Sequence, residues 1–312
     1  MALSNIRISS VSSSEIVNIC GEGKAKDSVS VTFYTYIKKK RYEYYLKQKL
    51  ESDVDTFNFA WGKVAEVIAH KLLSADYRFQ SENTIPHPSI LGWVGTPDGE
   101  RFKEILRKLI KISVTDIKCP ATRLAFMDLI VELYEYDGEK SVPKNIVEMK
   151  KGIFAALVED TDNKIMQIIR NTASDGDKYY WQILSNACIE DTPYGELIAY
   201  CPYFENLQTI IDYNINLKIP YNPIIYKKPE EMPHILKESG LLELNIIRFK
   251  VSEKDKQFLS MRARMATEII AMSSKDYNEL IGRKDKHQEA VIIDFIKSKT
   301  GEEIKYFKKE AA

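Results

Sequence analysis

Apolar residues recur at helical spacing over several stretches of the chain and alternate or run together over others. Trp61, Val64, Ala65, Ile68 and Leu72 mark one face of a helix from about Asp55 to Leu73. Tyr180, Ile183, Leu184, Ala187 and Cys188 form the stripe of a second helix, Lys178 to Ile189, and a long helix is expected near Glu253 to Ser273. Val31, Tyr34, Ile37, Tyr42 and Tyr45 line a helical face that the cluster Lys38 to Arg41 interrupts. Residues 121–172 read as two or three helices, LAFMDLIVELYEY and NIVEMKKGIFAALVED among them. Strands are expected at Ile112 to Lys118, stopped by Pro120, at Tyr194 to Cys201, closed by Pro202, and at Leu244 to Val251. The turn-rich stretch 83–100 surrounds the apolar segment Ile90 to Val94, and its end reads as a strand running into Asp98. Residues 1–27 look like an irregular arm, Ile219 to Pro233 is a Pro-rich connection, and the tail after Glu302 is charged and expected to fray.

Composition narrows the class. At 312 residues the chain is long enough for one or two domains with a sizeable core. A hydrophobic fraction of 44% and a charged fraction of 29% exclude general disorder. Lys plus Arg total 45 and Asp plus Glu total 45, which excludes a strongly basic body but not a local basic channel. Cys20, Cys119, Cys188 and Cys201 form no CxxC pair, so a zinc ribbon is not expected, and the first twenty residues lack a signal-peptide pattern. The expectation is a reduced, cytoplasmic protein without a membrane span. His70, His87, His234 and His287 show no paired spacing.

Chemistry concentrates in two strings. Thr96-Pro97-Asp98-Gly99 is followed 18 residues after Asp98 by Asp116-Ile117-Lys118. On a strand, Asp116 and Lys118 face one way and Ile117 faces the core. If the segment carrying Asp98 pairs with this strand, two carboxylates meet. They repel unless a cation sits between them, and Mg2+, or Mn2+ as a substitute, suits two carboxylates, a backbone carbonyl and water. Lys118 would then hold a water and offset phosphate charge, which is the equipment of metal-assisted phosphodiester hydrolysis.

The order and spacing of these strings resemble the PD-(D/E)XK nuclease superfamily. Two further segments extend the resemblance: FAWGKVAEVIA at residues 59–69, with Glu66 one helical turn after Gly62, and KYYWQILSNACI at residues 178–189, with Gln182 on the flank of its apolar stripe. The second resembles the lambda-exonuclease-like, YqaJ-type viral recombinase family. The resemblance implies an α/β fold with a restriction-endonuclease-like core. A mixed central sheet would be flanked by helices, with extra helices inserted and a C-terminal extension. It covers residues 28–205, leaving 1–27 as an arm and 206–312 as an extension that completes the domain or supports oligomer contacts.

The resemblance implies Asp98, Asp116 and the Ile117 carbonyl as metal ligands and Glu66 as a further ligand through water. Lys118 would position the nucleophilic water, and Gln182 would orient water or phosphate. It implies a Mg2+-dependent DNA exonuclease on double-stranded ends in phage-type recombination. Such an enzyme would be a homo-oligomer such as a ring trimer, beside a single-strand annealing protein, and no iron–sulfur cluster is expected. Two alternatives stay open: an endonuclease or single-strand nuclease on the same scaffold, and a catalytically inert DNA-binding or assembly module. Asp116 stands where relatives often carry glutamate. The stretch GEGKAKDSVSVTFYTYI has no arginine for a 5′-phosphate, with Lys24, Lys26, Ser28 and Ser30 as substitutes. A neutral chain that handles DNA must segregate its charges. The duplex path is expected along Lys24 to Lys26, along Lys38, Lys39, Lys40 and Arg41, and along the basic segment Arg101 to Lys111.

Overall fold

The computed structural model describes residues 8–50, 56–80, 83–216 and 223–307. Short elements open the chain: β1 (Val11–Ser12), a 3-10 turn at Ser13–Glu15 and α1 (Val17–Cys20). Helices α2 (Val31–Leu46) and α3 (Phe57–Leu72) follow, then strands β2 (Tyr77–Phe79), β3 (Ile85–Pro86), β4 (Trp93–Gly95), β5 (Gly99–Ile105) and β6 (Lys108–Lys118). Next come α4 (Arg123–Ile130), β7 (Tyr134–Tyr136), β8 (Ser141–Pro143), β9 (Ile146–Lys150), β10 (Ile153–Asp160), α5 (Lys164–Thr172), α6 (Gly176–Glu190) and β11 (Tyr194–Tyr200). The C-terminal third holds α7 (Leu207–Asn216), β12 (Leu244–Lys250), α8 (Glu253–Ala271), α9 (Ser274–Gly282) and α10 (Glu289–Thr300).

A seven-stranded mixed sheet in the order β2-β5-β6-β11-β12-β10-β9 organises the fold, with helices on both faces. This is the mixed, helix-flanked α/β sheet expected from the sequence. β11 runs parallel to β6 and antiparallel to β12, and β12 runs parallel to β10. Interior strands covered on both faces are buried almost throughout: β11 and β12 bury Leu197, Ile198, Ile246 and Ile247, and the polar residues among them are paired, Arg248 with Glu196 at 2.6 Å. Val114, Leu197, Ile247 and Phe249 pack under α6 and α8. Ile117, Ile198, Tyr200 and Ile246 belong to the opposite core, with Trp61, Val64, Ala65 and Ile68 of α3. The strand alternation expected around Ile117 is therefore present.

Several expected elements differ. Residues 8–27, expected as an irregular arm, contribute β1 and α1 and bury Val11, Ile16 and Ile19 completely. Helix α2 is continuous through Lys38 to Arg41, because Lys40 and Arg41 find buried partners instead of breaking the helix. The segment NIVEMKKGIFAALVED is not a helix. Its apolar positions satisfy helical and extended spacing alike, and Gly152, at φ +77°, turns it into the antiparallel pair β9 and β10. The strand near Val94 ends at Gly95 in a separate three-stranded sheet, β1-β4-β3, and Asp98 lies just before β5.

The basic segment Arg101 to Lys111 is a hairpin whose strands run on into the sheet. β12, from the C-terminal extension, is an interior strand of the sheet, between β11 and β10. The described tail does not fray: Ile304 is buried, and Tyr306 and Phe307 pack on the core. Asp55 and residues 219–222 of the Pro-rich connection lie outside the described residues. No described helix is long and apolar enough to cross a membrane.

Candidate active site

β5 and β6 pair from the hairpin end up to Gly99 opposite Thr115, and the backbone N–H of Asp98 still donates to the Thr115 carbonyl at 3.2 Å. Gly99 allows this close approach. A Cβ there would meet Thr115 Oγ1 at 2.7 Å and the Arg78 carbonyl at 3.0 Å, since β2 lies on the other side. Beyond that point the ladder ends, and the next free donor, the Ile117 N–H, is taken by the Asp98 carboxylate at 2.7 Å. Asp98 is thus fixed beside β6 by the geometry of strand termination.

Asp116, fully buried, projects from β6 toward α6. Its Oδ1 accepts from Gln182 Nε2 at 2.9 Å, and its Oδ2 pairs with the Lys118 ammonium two residues along the same strand face. Lys118 Nζ also sits 5.1 Å from the ring centre of Tyr179. Gln182 and Tyr179 are one turn apart on α6, so a single helix face supplies both contacts. Glu66 comes from α3, capped by Thr56, whose hydroxyl accepts from the Phe59 N–H at 3.3 Å.

The electrostatics are those of an overcrowded acidic site. Burial, then the charge of Asp116, pushes the Glu66 carboxyl up to about 7. Asp98 is raised well above the usual carboxylate range by burial, then by Asp116 and Glu66. Burial works against the charge of Lys118, but Asp116 and Asp98 outweigh it and hold the ammonium above its ordinary value. Burial, reinforced by Glu66 and Asp98, raises the Cys119 thiol well above its ordinary range, which leaves it a protonated neighbour rather than a nucleophile.

Glu66 and Asp98, both raised by burial and by the charge of Asp116, stand beside that buried carboxyl, a donor set that fits a hard divalent cation. Among the described residues no three such side chains converge at coordinating geometry, because Asp98 is turned to the Ile117 N–H and Asp116 to Lys118 and Gln182. The lysine charge is paired with one Asp116 oxygen in this arrangement, a contact that a bound cation would share or displace.

Glu66, Asp98, Asp116, Lys118 and Gln182 are therefore brought into one cluster, alongside the backbone of Ile117. Tyr179 was not foreseen, although its position three residues before Gln182 carried the signal. The residues proposed for DNA divide. Lys24, Lys26 and Lys38 are exposed. Lys39 lies near Glu15 at 3.6 Å, and Lys40 is buried between Glu15 at 2.7 Å and Glu43 at 3.0 Å. Arg41 is buried and donates to the carbonyls of Ile269, Ile270 and Met272, at 2.8, 2.9 and 2.8 Å, closing the C-terminal end of α8. Ser28 is buried, its hydroxyl bonded to the Ala25 carbonyl, and Ser30 caps α2 by accepting from the Phe33 N–H. Lys40, Arg41 and Ser28 are thus buried and committed to the fold, while Ser30 is half-buried and serves as the helix cap.

No family model matches the chain, and no curated protein matches it. Similar solved structures are exonucleases. LHK-Exo in complex with dAMP has 10% identity, with 96% of this chain and 98% of that one covered, and a TM-score of 0.47. The alkaline exonuclease LHK-Exo from Laribacter hongkongensis has 10% identity, with 89% and 94% covered and a TM-score of 0.47. A phage related exonuclease from Haemophilus somnus has 11% identity, with 87% and 95% covered and a TM-score of 0.48.

Proposed function

We propose that this protein is a Mg2+-dependent DNA nuclease acting on double-stranded ends. The observation that carries the proposal is the convergence of Glu66, Asp98, Asp116, Lys118 and Gln182, from separate elements, on one buried cluster. Asp98 and Asp116 would hold the cation with the Ile117 carbonyl, and Glu66 would reach it through water. When bound, the cation neutralises the carboxylates, acidifies water and polarises the phosphate.

The remaining work falls to side chains of this chain. Lys118, released from Asp116, holds the attacking water through its ammonium and opposes charge that builds on the phosphate oxygens. Gln182 donates through Nε2 to whichever oxygen replaces Asp116 Oδ1, fixing the phosphate or water in line. Tyr179 walls the ammonium on its ring side and limits how far Lys118 can swing. The motif resemblance supports duplex ends as the substrate and recombination, with an annealing partner and a ring assembly, as the setting.

The test is cleavage of linear 5′-phosphorylated duplex, 5′-hydroxyl duplex and closed circular DNA, with Mg2+ and with EDTA. The expected outcome is Mg2+-dependent loss of linear duplex. Lys118→Ala should abolish it by at least a hundredfold while far-UV circular dichroism stays unchanged. Full-rate cleavage by Lys118→Ala overturns the assignment, and degradation of circles overturns the end specificity.

A further inference from the structure

The hairpin of β5 and β6 outruns the sheet that holds it. β2 accompanies β5 only at Gly99 to Arg101, and β11 accompanies β6 only from Ser113 onward. Between these limits Phe102 pairs with Lys111, Lys103 with Ile110, Glu104 with Leu109 and Ile105 with Lys108, as a two-stranded ribbon with no third strand. A free ribbon of this kind is marginal in water. Its turn residues, Leu106 and Arg107, both take left-handed backbone, at φ 51° and 63°, where Asn-Gly is the economical choice. Leu106 is 92% exposed.

The two faces of the ribbon are not alike. On one, Phe102 lies under the Arg78 guanidinium at 4.3 Å, and Lys111 is paired with Glu100 and Glu190. On the other, Lys103 and Lys108 alternate with Ile105 and Ile110. Together with Arg107 at the turn they carry three positive charges and no acid, and these cations make no ion pair among the described residues. Basic residues interleaved with short apolar ones on a two-stranded ribbon are complementary to a nucleic-acid groove, whose phosphate walls take the lysines while apolar side chains meet sugar and base edges.

We propose that this face is a second DNA contact, seated in a groove of the duplex. It rests on the nuclease reading only for the position of the scissile bond. β6 runs as one strand from Lys108 to Lys118, with a register shift at Ile112 between the ribbon and the site. At about 3.3 Å per residue, its basic end lies roughly 20–26 Å from Asp116, or about six to eight base pairs of duplex. The ribbon would grip DNA that the metal site does not touch and hold the enzyme on its substrate between cuts.

The test is fluorescence anisotropy of the full chain with fluorescein-labelled duplexes of about 6 and about 24 base pairs, in Ca2+ over a salt series. Two variants are compared with the native chain: Lys103→Ala with Arg107→Gly and Lys108→Ala, and Leu106→Asn, which keeps a residue tolerant of the turn. Losing three phosphate contacts should flatten the log-affinity against log-salt slope by about 2–3 and weaken the long duplex tenfold or more. Affinity for the short duplex, which cannot span both places, should change less than twofold. An unchanged slope on the long duplex overturns the proposal. So does a variant that sediments as a smaller species with its slope intact, since the ribbon would then join subunits. Cleavage is not part of this readout, so a chain that binds through the ribbon without cutting DNA would refute the nuclease reading alone.

Discussion

Glu66 reports what it costs to ionise a carboxyl in the buried, acidic site. Its carboxyl is raised from 4.5 to about 7 in the folded chain, by burial first and the charge of Asp116 second. A shift of that size corresponds to about 3 kcal/mol, at ~1.4 kcal/mol per pH unit. The sign follows from which state binds more protons. Above pH 4.5 the unfolded carboxyl ionises while the folded one keeps its proton. Folding stability from this group therefore falls as pH rises to about 7, and the full penalty is present at pH 8. Glu66→Gln removes the titration and keeps the shape. In EDTA, calorimetry should find the variant more stable than the native chain at pH 8 by up to about 3 kcal/mol, or roughly 6 °C for a chain of this size. At pH 4.5 the difference should nearly vanish. A difference independent of pH, or a native chain more stable at pH 8, would refute the account of a crowded acidic site.

Other outcomes follow from the same structure. Millimolar Mg2+ should raise the melting temperature of the native chain at pH 8 and leave an Asp98→Asn, Asp116→Asn double variant unmoved, read by differential scanning fluorimetry. Gly99→Val should cut cleavage at least tenfold and lower stability by about 1–3 kcal/mol, because its side chain meets Thr115 and the Arg78 carbonyl beside Asp98. Arg41→Ala should cost about 3–5 kcal/mol in urea unfolding, since three carbonyls at the end of α8 lose a buried charged donor, yet leave the salt dependence of DNA binding unaltered.

What the sequence shows depends on how local the deciding contact is. Asp116 and Lys118 share a strand face by alternation alone, and Gln182 stands on a helix flank by periodicity alone, so both could be read without tertiary information. Lys40 and Arg41 could not. Their partners, Glu15 and the carbonyls of residues 269–272, are distant in sequence, and a basic pair reads as surface until those partners are known. Residues 145–160 failed for another reason. Val147, Met149, Ile153 and Leu157 fit a helical face almost as well as two strands, and the left-handed turn at Gly152 decided it. The basic run after Asp98 showed its charge but not its shape, because neither Leu106 nor Arg107 advertises a turn.

The interior position of β12 sets a timetable for synthesis. β10 finds its parallel partner only when residues 244–250 exist, some 84 residues after Asp160. At roughly 5–20 residues per second, the unfinished sheet waits about 4–17 s on the ribosome with one edge of β10 bare. The strand that follows Asp98 and the one bearing Asp116 can pair with each other well before that, but the sheet that holds them closes late. A nascent chain of this protein therefore passes through a long interval in which chaperones, or neighbouring nascent chains, compete with its own C-terminal third for the same strand edge.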